Sequence, residues 1–134
     1  MAAAVDTQHG DVLERVADSL LAVFHHASDA VTAAARIRKV LTDAAWPRGR
    51  DVKVSIVVHS GRWSGDPKRP AAGMALFRLS RLAQLAEPDQ ILVSQTTAAL
   101  LEGDRDAPEL RDLGEQKLPD FDSPMRIYEL TKAE

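Results

Sequence analysis

The chain has 134 residues and a formal net charge of −3, enough length for one domain with an ordinary core. Hydrophobic residues make up 45% and charged residues 28%, which excludes a disordered chain, and the acidic balance argues against a general nucleic-acid or anionic-membrane binder. With no cysteine there is no disulfide framework, thiolate metal site or cysteine nucleophile, and no apolar run approaches the about 18 residues of a membrane span.

Residues 1–9 form a small, polar lead-in, ahead of a core expected over 10–131 of a single domain, 1–134. The runs Asp11 to Val16 and Leu20 to Phe24 flank Ala17-Asp18-Ser19, which reads as a hairpin around a tight polar turn. Residues 28–45 have helical period, with Ala30, Val31, Ala34, Ile37, Val40, Leu41, Ala44 and Ala45 on one stripe. Ser28 is the expected N-cap and Asp29 suits the first turn. Pro47 and Gly49 end the helix. Residues 52–59 alternate, Val52, Val54, Ile56 and Val58 on one side and Lys53, Ser55, Val57 and His59 on the other, as in a half-buried strand. A polar loop over 61–70 leads to a helix over 72–86, broken by Pro88. A short strand over 90–93, a helix from Ser94 over about 95–102 and two last strands near 111–114 and 125–130 complete the order β-β-α-β-α-β-α-β-β. That order predicts an α+β sandwich with helices on one or both sheet faces.

Five of these segments resemble the catalytic domain of the class III nucleotidyl cyclases, the adenylate and guanylate cyclases. Val16-Ala17-Asp18-Ser19-Leu20-Leu21-Ala22-Val23-Phe24 resembles the family's T-G-D-G-x-x-A-x-F. Val58-His59-Ser60-Gly61 resembles L-H-x-G. Gly73-Met74-Ala75-Leu76-Phe77-Arg78-Leu79-Ser80-Arg81-Leu82 resembles G-x-x-V-N-x-x-x-R-L. Gln90-Ile91-Leu92-Val93-Ser94 resembles Q-I-L-V-S, and Asp112 to Leu118 resembles D-L-G-x-x-x-L. The similarity runs in register from about residue 9 to about residue 130. It implies a ferredoxin-like α+β fold, an antiparallel sheet with packed helices, and head-to-tail dimers with active sites at the interface. It also implies a chemistry in which two carboxylates hold two divalent ions, which activate the ribose 3′-hydroxyl of a nucleoside triphosphate and spread the charge of the attacked phosphate. A partner-helix Asn orients the ribose, an Arg one turn further stabilises the pentavalent phosphate, and a Lys and a polar residue choose the base.

Mapped onto this chain, few of those roles survive. The second metal carboxylate falls on Asp18, the transition-state Arg on Arg81 and the ribose-orienting Asn on Phe77, which cannot hydrogen-bond. The base-selecting positions fall on Val12 and Pro70, and the triphosphate Lys near Pro119, where the family's Lys-Gly reads Pro119-Asp120. The first carboxylate belongs to a strand well ahead of Asp18, and only seventeen residues precede Asp18, so the fold is expected to be N-terminally truncated. Loss of that strand exposes two edges. Residues 1–8 supply a substitute, although Ala2-Ala3-Ala4 is a poor β-former, or a partner chain exchanges one, or the two edges close on each other.

The resemblance therefore implies a degenerate cyclase-homology domain without catalysis, acting in signal transduction as a homodimer or as the partner of another cyclase-homology domain. The alternative is a weak magnesium- or manganese-dependent cyclase acting on ATP or GTP, with Asp6, Asp11 or Glu14 as substitute ligands beside Asp18. No cofactor is expected unless activity remains. Each retained residue also has a plainer reading: Asp18 as a turn residue, Arg81 as a surface arginine paired with Asp or Glu, and Phe77 as core or dimer interface. Arg62, Lys68, Arg69, Arg78 and Arg81 form a loose basic group, either a phosphate patch or a dimer rim. His25 and His26 point apart, His59 suits a structural hydrogen bond, and Trp46 and Trp63 are too separated for a nucleic-acid platform. The start lacks the basic flank and long apolar stretch of a secretory signal, so a cytoplasmic location is expected. An excess of 12 Arg over 5 Lys with 21 Ala points to a GC-rich bacterial source.

Overall fold

The structure is a computed structural model and describes residues 2–16, 19–43, 53–61 and 74–131. In chain order the elements are α1 (Ala2–Thr7), β1 (Asp11–Val16), β2 (Ser19–Val23), α2 (Ala27–Asp43), β3 (Ile56–Val58), α3 (Met74–Ala83), β4 (Ile91–Ser94), α4 (Gln95–Leu100), β5 (Leu110–Gln116) and β6 (Met125–Leu130). Apart from α1, this is the order expected from the sequence. The main sheet runs β3-β4-β6-β5. It is mixed rather than wholly antiparallel: β3 pairs parallel with β4, and β6 pairs antiparallel with both β4 and β5.

Alternation along the strands splits the core into two layers. Ile91, Val93 and Leu130 face Val31 and Ala34 of α2, joined by Ile56, Val58 and Tyr128. Leu92 and Ile127 face the other way, onto Leu82 of α3 and Leu118, joined by Val57 and Met125. The period of two in the side chains thus puts helices on both faces of one sheet. In β5 the register shifts between Asp112 and Glu115. Gly114 sits there at φ 83, a backbone region that strongly favours glycine. Asp112 accepts the Gly114 N–H at 2.7 Å and an Arg126 N–H at 2.7 Å. The Gly114 bond, followed by Arg126, holds the Asp112 carboxyl below the usual carboxylate range.

Several expectations need correction. Residues 2–7 are helical and do not substitute for a strand. Val5 of this helix is 1% exposed, and α1 packs on α2 and β1, so burial of one apolar side chain against the neighbouring helix outweighs any strand pairing. The two bare edges do not close on each other either. Among the described residues β1 and β2 pair only with each other, and β3 only with β4. The strand expected over 52–59 is shorter, with 53–55 outside the ladder. Helix α2 begins at Ala27, so Ser28 lies inside it, where its carbonyl accepts the Thr32 hydroxyl at 2.8 Å. Ala44, Ala45 and the 62–70 loop lie outside the described residues.

The α2 stripe is also rotated from its sequence reading. Val40 is 60% exposed, whereas Arg38 is 7% exposed. The Arg38 guanidinium reaches the end of β6 and donates to the Leu130 and Thr131 carbonyls, both at 3.2 Å. Its aliphatic stem fills core space while its charged head serves backbone acceptors that would otherwise be buried unpaired.

Two measurements follow. Arg38→Met keeps most of the side-chain volume but leaves both carbonyls without their donor, so chemical denaturation should show a loss of about 2 kcal/mol. The Val57 amide points away from β4, since Ile56 N–H donates towards it, to Gln90. In hydrogen exchange the Val57 amide should therefore exchange much faster than those of Leu92 and Val93 in the doubly flanked β4.

Candidate functional site

The retained arginine sits on α3, a helix whose buried anchor is Leu82, 1% exposed. With Leu82 facing the sheet, Phe77, Arg78 and Arg81 lie towards the chain that joins β5 to β6. Residues 77 and 81 are four apart and share a face, as do 78 and 81 at a spacing of three. The opposing segment is fixed by Leu118, also 1% exposed and packed in the Leu82 cluster. The chain turns there, with Phe121 N–H donating to the Leu118 carbonyl at 3.2 Å and Asp120 at φ 68. A left-handed Asp in a tight turn is tolerated because its short polar side chain hydrogen-bonds locally.

This turn presents Asp120 and Phe121 to α3. Arg81 Nε donates to Asp120 Oδ2 at 2.9 Å, and the Arg81 guanidinium lies over the Phe77 ring, 4.6 Å from its centroid. Phe77 and Phe121 are 5.2 Å apart at 53°, and Arg78 covers the outer ring, 5.4 Å from the Phe121 centroid. The result is a ladder of Arg81, Phe77, Phe121 and Arg78, closed at one end by Asp120. An exposed ion pair contributes at most about 1 kcal/mol. The stacked cation and the aromatic pair contribute about as much each. Arg81 is therefore placed at least as firmly by Phe77 as by Asp120.

The other sequence-selected positions do not join this cluster. Val12 lies on β1 opposite Ala22. Pro119 is exposed and adjoins the turn, and its side chain has no polar group to offer. Asp18 and Pro70 lie outside the described residues, as do Arg62, Lys68 and Arg69. Asp6, Asp11 and Glu14 are exposed. Among the described residues no three His, Asp or Glu side chains come together to hold a metal ion. Two small cavities, about 240 and 210 Å³, lie elsewhere, one bounded by Arg38, Arg111 and Glu129 and one by Leu85, Leu113 and Gln116. The ladder is a surface feature.

Asp120 is the residue that sequence reasoning missed. The signal was present: where the family's Lys-Gly reads Pro119-Asp120, the cation is gone and an anion follows it, three residues after Lys117. The bland reading of Arg81, a surface arginine paired with a carboxylate, describes its actual partner.

Beside the ladder, His59 ends β3 in a hydroxyl network at the start of α4. Its Nδ1 is 2.8 Å from Ser94 Oγ and 3.3 Å from Thr96 Oγ1. Ser94, fully buried, also accepts the Thr97 N–H as the helix cap. Thr97 Oγ1 is 2.8 Å from Ser60 Oγ. This is the structural hydrogen bond expected of His59. Gly61 follows at a close approach, where a Cβ would stand 2.6 Å from that of Ala75 in α3.

The fold these elements define is that of the class III adenylate and guanylate cyclase catalytic domains. An adenylate/guanylate cyclase/hydrolase from Silicibacter pomeroyi matches over 99% of this chain and 79% of its own, with 23% identity and a TM-score of 0.78. The guanylate cyclase domain of a Catenaria anguillulae protein, solved with GTP, matches over 99% and 78%, with 18% identity and a TM-score of 0.77. An adenylate cyclase from Trypanosoma brucei, in its monomeric state, matches over 96% and 73%, with 15% identity and a TM-score of 0.80. No protein-family model matches the sequence, and no curated protein does. No helix among the described residues is long and apolar enough to cross a membrane.

Burial, and then the Arg78 charge, hold the His59 imidazole below its ordinary value of 6.5. The unfolded chain therefore takes up the proton first as pH falls. The stability from neutral His59 is complete above about 6.5 and is lost as pH drops from there towards the lower folded-state value. Urea midpoints at pH 7.5 and 5.5 should show a larger acid loss for the native chain than for His59→Gln.

Proposed function

We propose that this chain is a cyclase-fold module that has given up catalysis and acts through protein contact, as a homodimer or as the regulatory partner of another cyclase-fold domain in a signalling protein. The observation that carries this reading is the capture of Arg81. Its guanidinium is committed to Phe77 and Asp120 within its own chain, and the aromatic that replaces a polar side chain cannot orient a ribose. Phe77 is 39% exposed, beside Phe121 and two arginines. Aromatic and arginine side chains clustered on a surface are the composition of an interface core.

The solved relatives support a fold that exists in both assembly states: the guanylyl cyclase domain from Blastocladiella emersonii has been crystallised as a dimer and as a monomer. The acidic chain carries no strongly basic stripe for nucleic acid, and a cytoplasmic setting fits its composition. Magnesium or manganese enters only under the competing reading, a weak cyclase that uses Asp6, Asp11 or Glu14 as substitute ligands beside Asp18.

Two assays test the proposal. With excess manganese, ATP or GTP and concentrated protein, cyclic-nucleotide formation should not exceed that of Arg81→Ala. Product that the substitution abolishes would make the chain an enzyme. In light scattering, the native chain should show a mass that rises with concentration towards twice 14.6 kDa, and Phe77→Asp should hold it at the monomer. A native mass fixed at one chain at every concentration would contradict homodimerisation.

A further inference from the structure

The two edges of the main sheet are unlike. At the β5 edge the register shifts beside Gly114, and Arg111, Asp112 and Glu115 are exposed. Such a bulge and such charges discourage another strand from pairing. At the β3 edge stand Ile56, Val57 and Val58, with no charge, proline or register shift. In the parallel ladder the backbone groups of Ile56 turn to β4, its N–H donating to the Gln90 carbonyl at 3.0 Å. Those of Val57 turn outward, and among the described residues nothing pairs with them. Both core layers also reach this edge. Ile56 and Val58 pack in the α2 layer and Val57 in the α3 layer, yet all three are only half-buried, whereas the whole of β4 is buried. The described N-terminal elements do not fill the edge: residues 2–7 are helical, and β1 and β2 pair only with each other.

We propose that the β3 edge accepts one extended segment of a different protein, which adds a strand beside Val57 and is apolar on both faces. The Val57 N–H and carbonyl supply the main-chain bonds that hold an added strand. The two core layers set its side chains. A strand between the layers that enclose β4 needs apolar residues at successive positions, not at alternate ones. A second copy of this chain fits the edge less well. It would arrive with its own α2 packed on β3 and its own α1 packed on α2, whereas a free segment brings only its strand. The inference uses neither Arg81 nor Phe77, so it stands or falls apart from the contact proposed above.

The probe is a capped peptide with the sequence Gln90–Ser94, the strand that β3 already takes on its other side. Hydrogen exchange of the full chain is followed by NMR as peptide is added. The Val57 amide should slow about tenfold at about nine-tenths occupancy, while the Leu92 and Val93 amides of the protein stay as they were. The same peptide with Leu92→Thr keeps its strand propensity but is polar on one face, and should bind about tenfold more weakly. Val57→Pro removes the outward N–H and spares the bonds to β4, as proline does on an edge strand, and this variant should not bind. If it folds poorly, the native chain with a fully N-methylated peptide replaces it and should show no slowing. A Val57 amide unmoved by the peptide would overturn the proposal, and so would equal slowing by the Thr peptide or any slowing by the N-methylated one. Protection of Val57 without peptide would also overturn it: a second copy fills the edge if that protection rises with protein concentration, and this chain's own residues fill it if it does not.

Discussion

Strand β4 is the constraint on which the rest hangs. Every residue from Ile91 to Ser94 is buried, because β3 and β6 flank its edges while α2 and α3 cover its faces. Its alternation assigns Ile91 and Val93 to the α2 layer and Leu92 to the α3 layer, so a slip by one residue would empty both cores at once. Its last residue, Ser94, caps α4 and meets His59 at the end of β3. One four-residue segment thereby sets the sheet order, the two cores and the height at which α3 crosses the sheet. That height brings Phe77 and Arg81 to the β5–β6 turn.

Residue pattern made most of this frame legible. The apolar run Ile91-Leu92-Val93 between Pro88 and Ser94 reads as a short buried strand, and the Val54, Ile56, Val58 alternation marks a second strand, but neither shows that the two pair, or that they pair in parallel. What sequence could not provide was the consequence of long-range geometry. Arg38 is not on the apolar stripe read by period, yet it is buried, with its guanidinium donating to two carbonyls at the end of β6. Val40 lies on the apolar stripe by period, yet it is exposed. The N-terminal residues were read as a loose lead-in, and they fold as a helix because Val5 finds cover against α2. Each miss concerns where a partner stands, which a periodic pattern does not encode.

At the site, the same division holds. The sequence marks Phe77 and Arg81 as one surviving and one replaced position of a cyclase-like helix, and it marks Pro119-Asp120 as a lost cation. It does not show that the gain of Asp120 and the loss of the polar residue at 77 act on the same arginine. In the structure they do: one supplies a carboxylate and the other a ring, and Arg81 is held between them. Together they place Arg81 in a surface cluster with Phe77 and Asp120, the arrangement on which the proposed contact function rests.

The most direct test of that claim observes Arg81 itself. In side-chain nitrogen–proton NMR of the full chain, with Arg81→Lys to assign the signal, the Arg81 Nε–H resonance should be distinct and shifted by the Phe77 ring. It should move to its ordinary position in Phe77→Leu and stay in place when ATP and manganese-mimicking magnesium are added to the native protein. A resonance at the ordinary position in the native chain, or one that shifts strongly with ATP and magnesium, would show an arginine free to serve a substrate and would contradict the account.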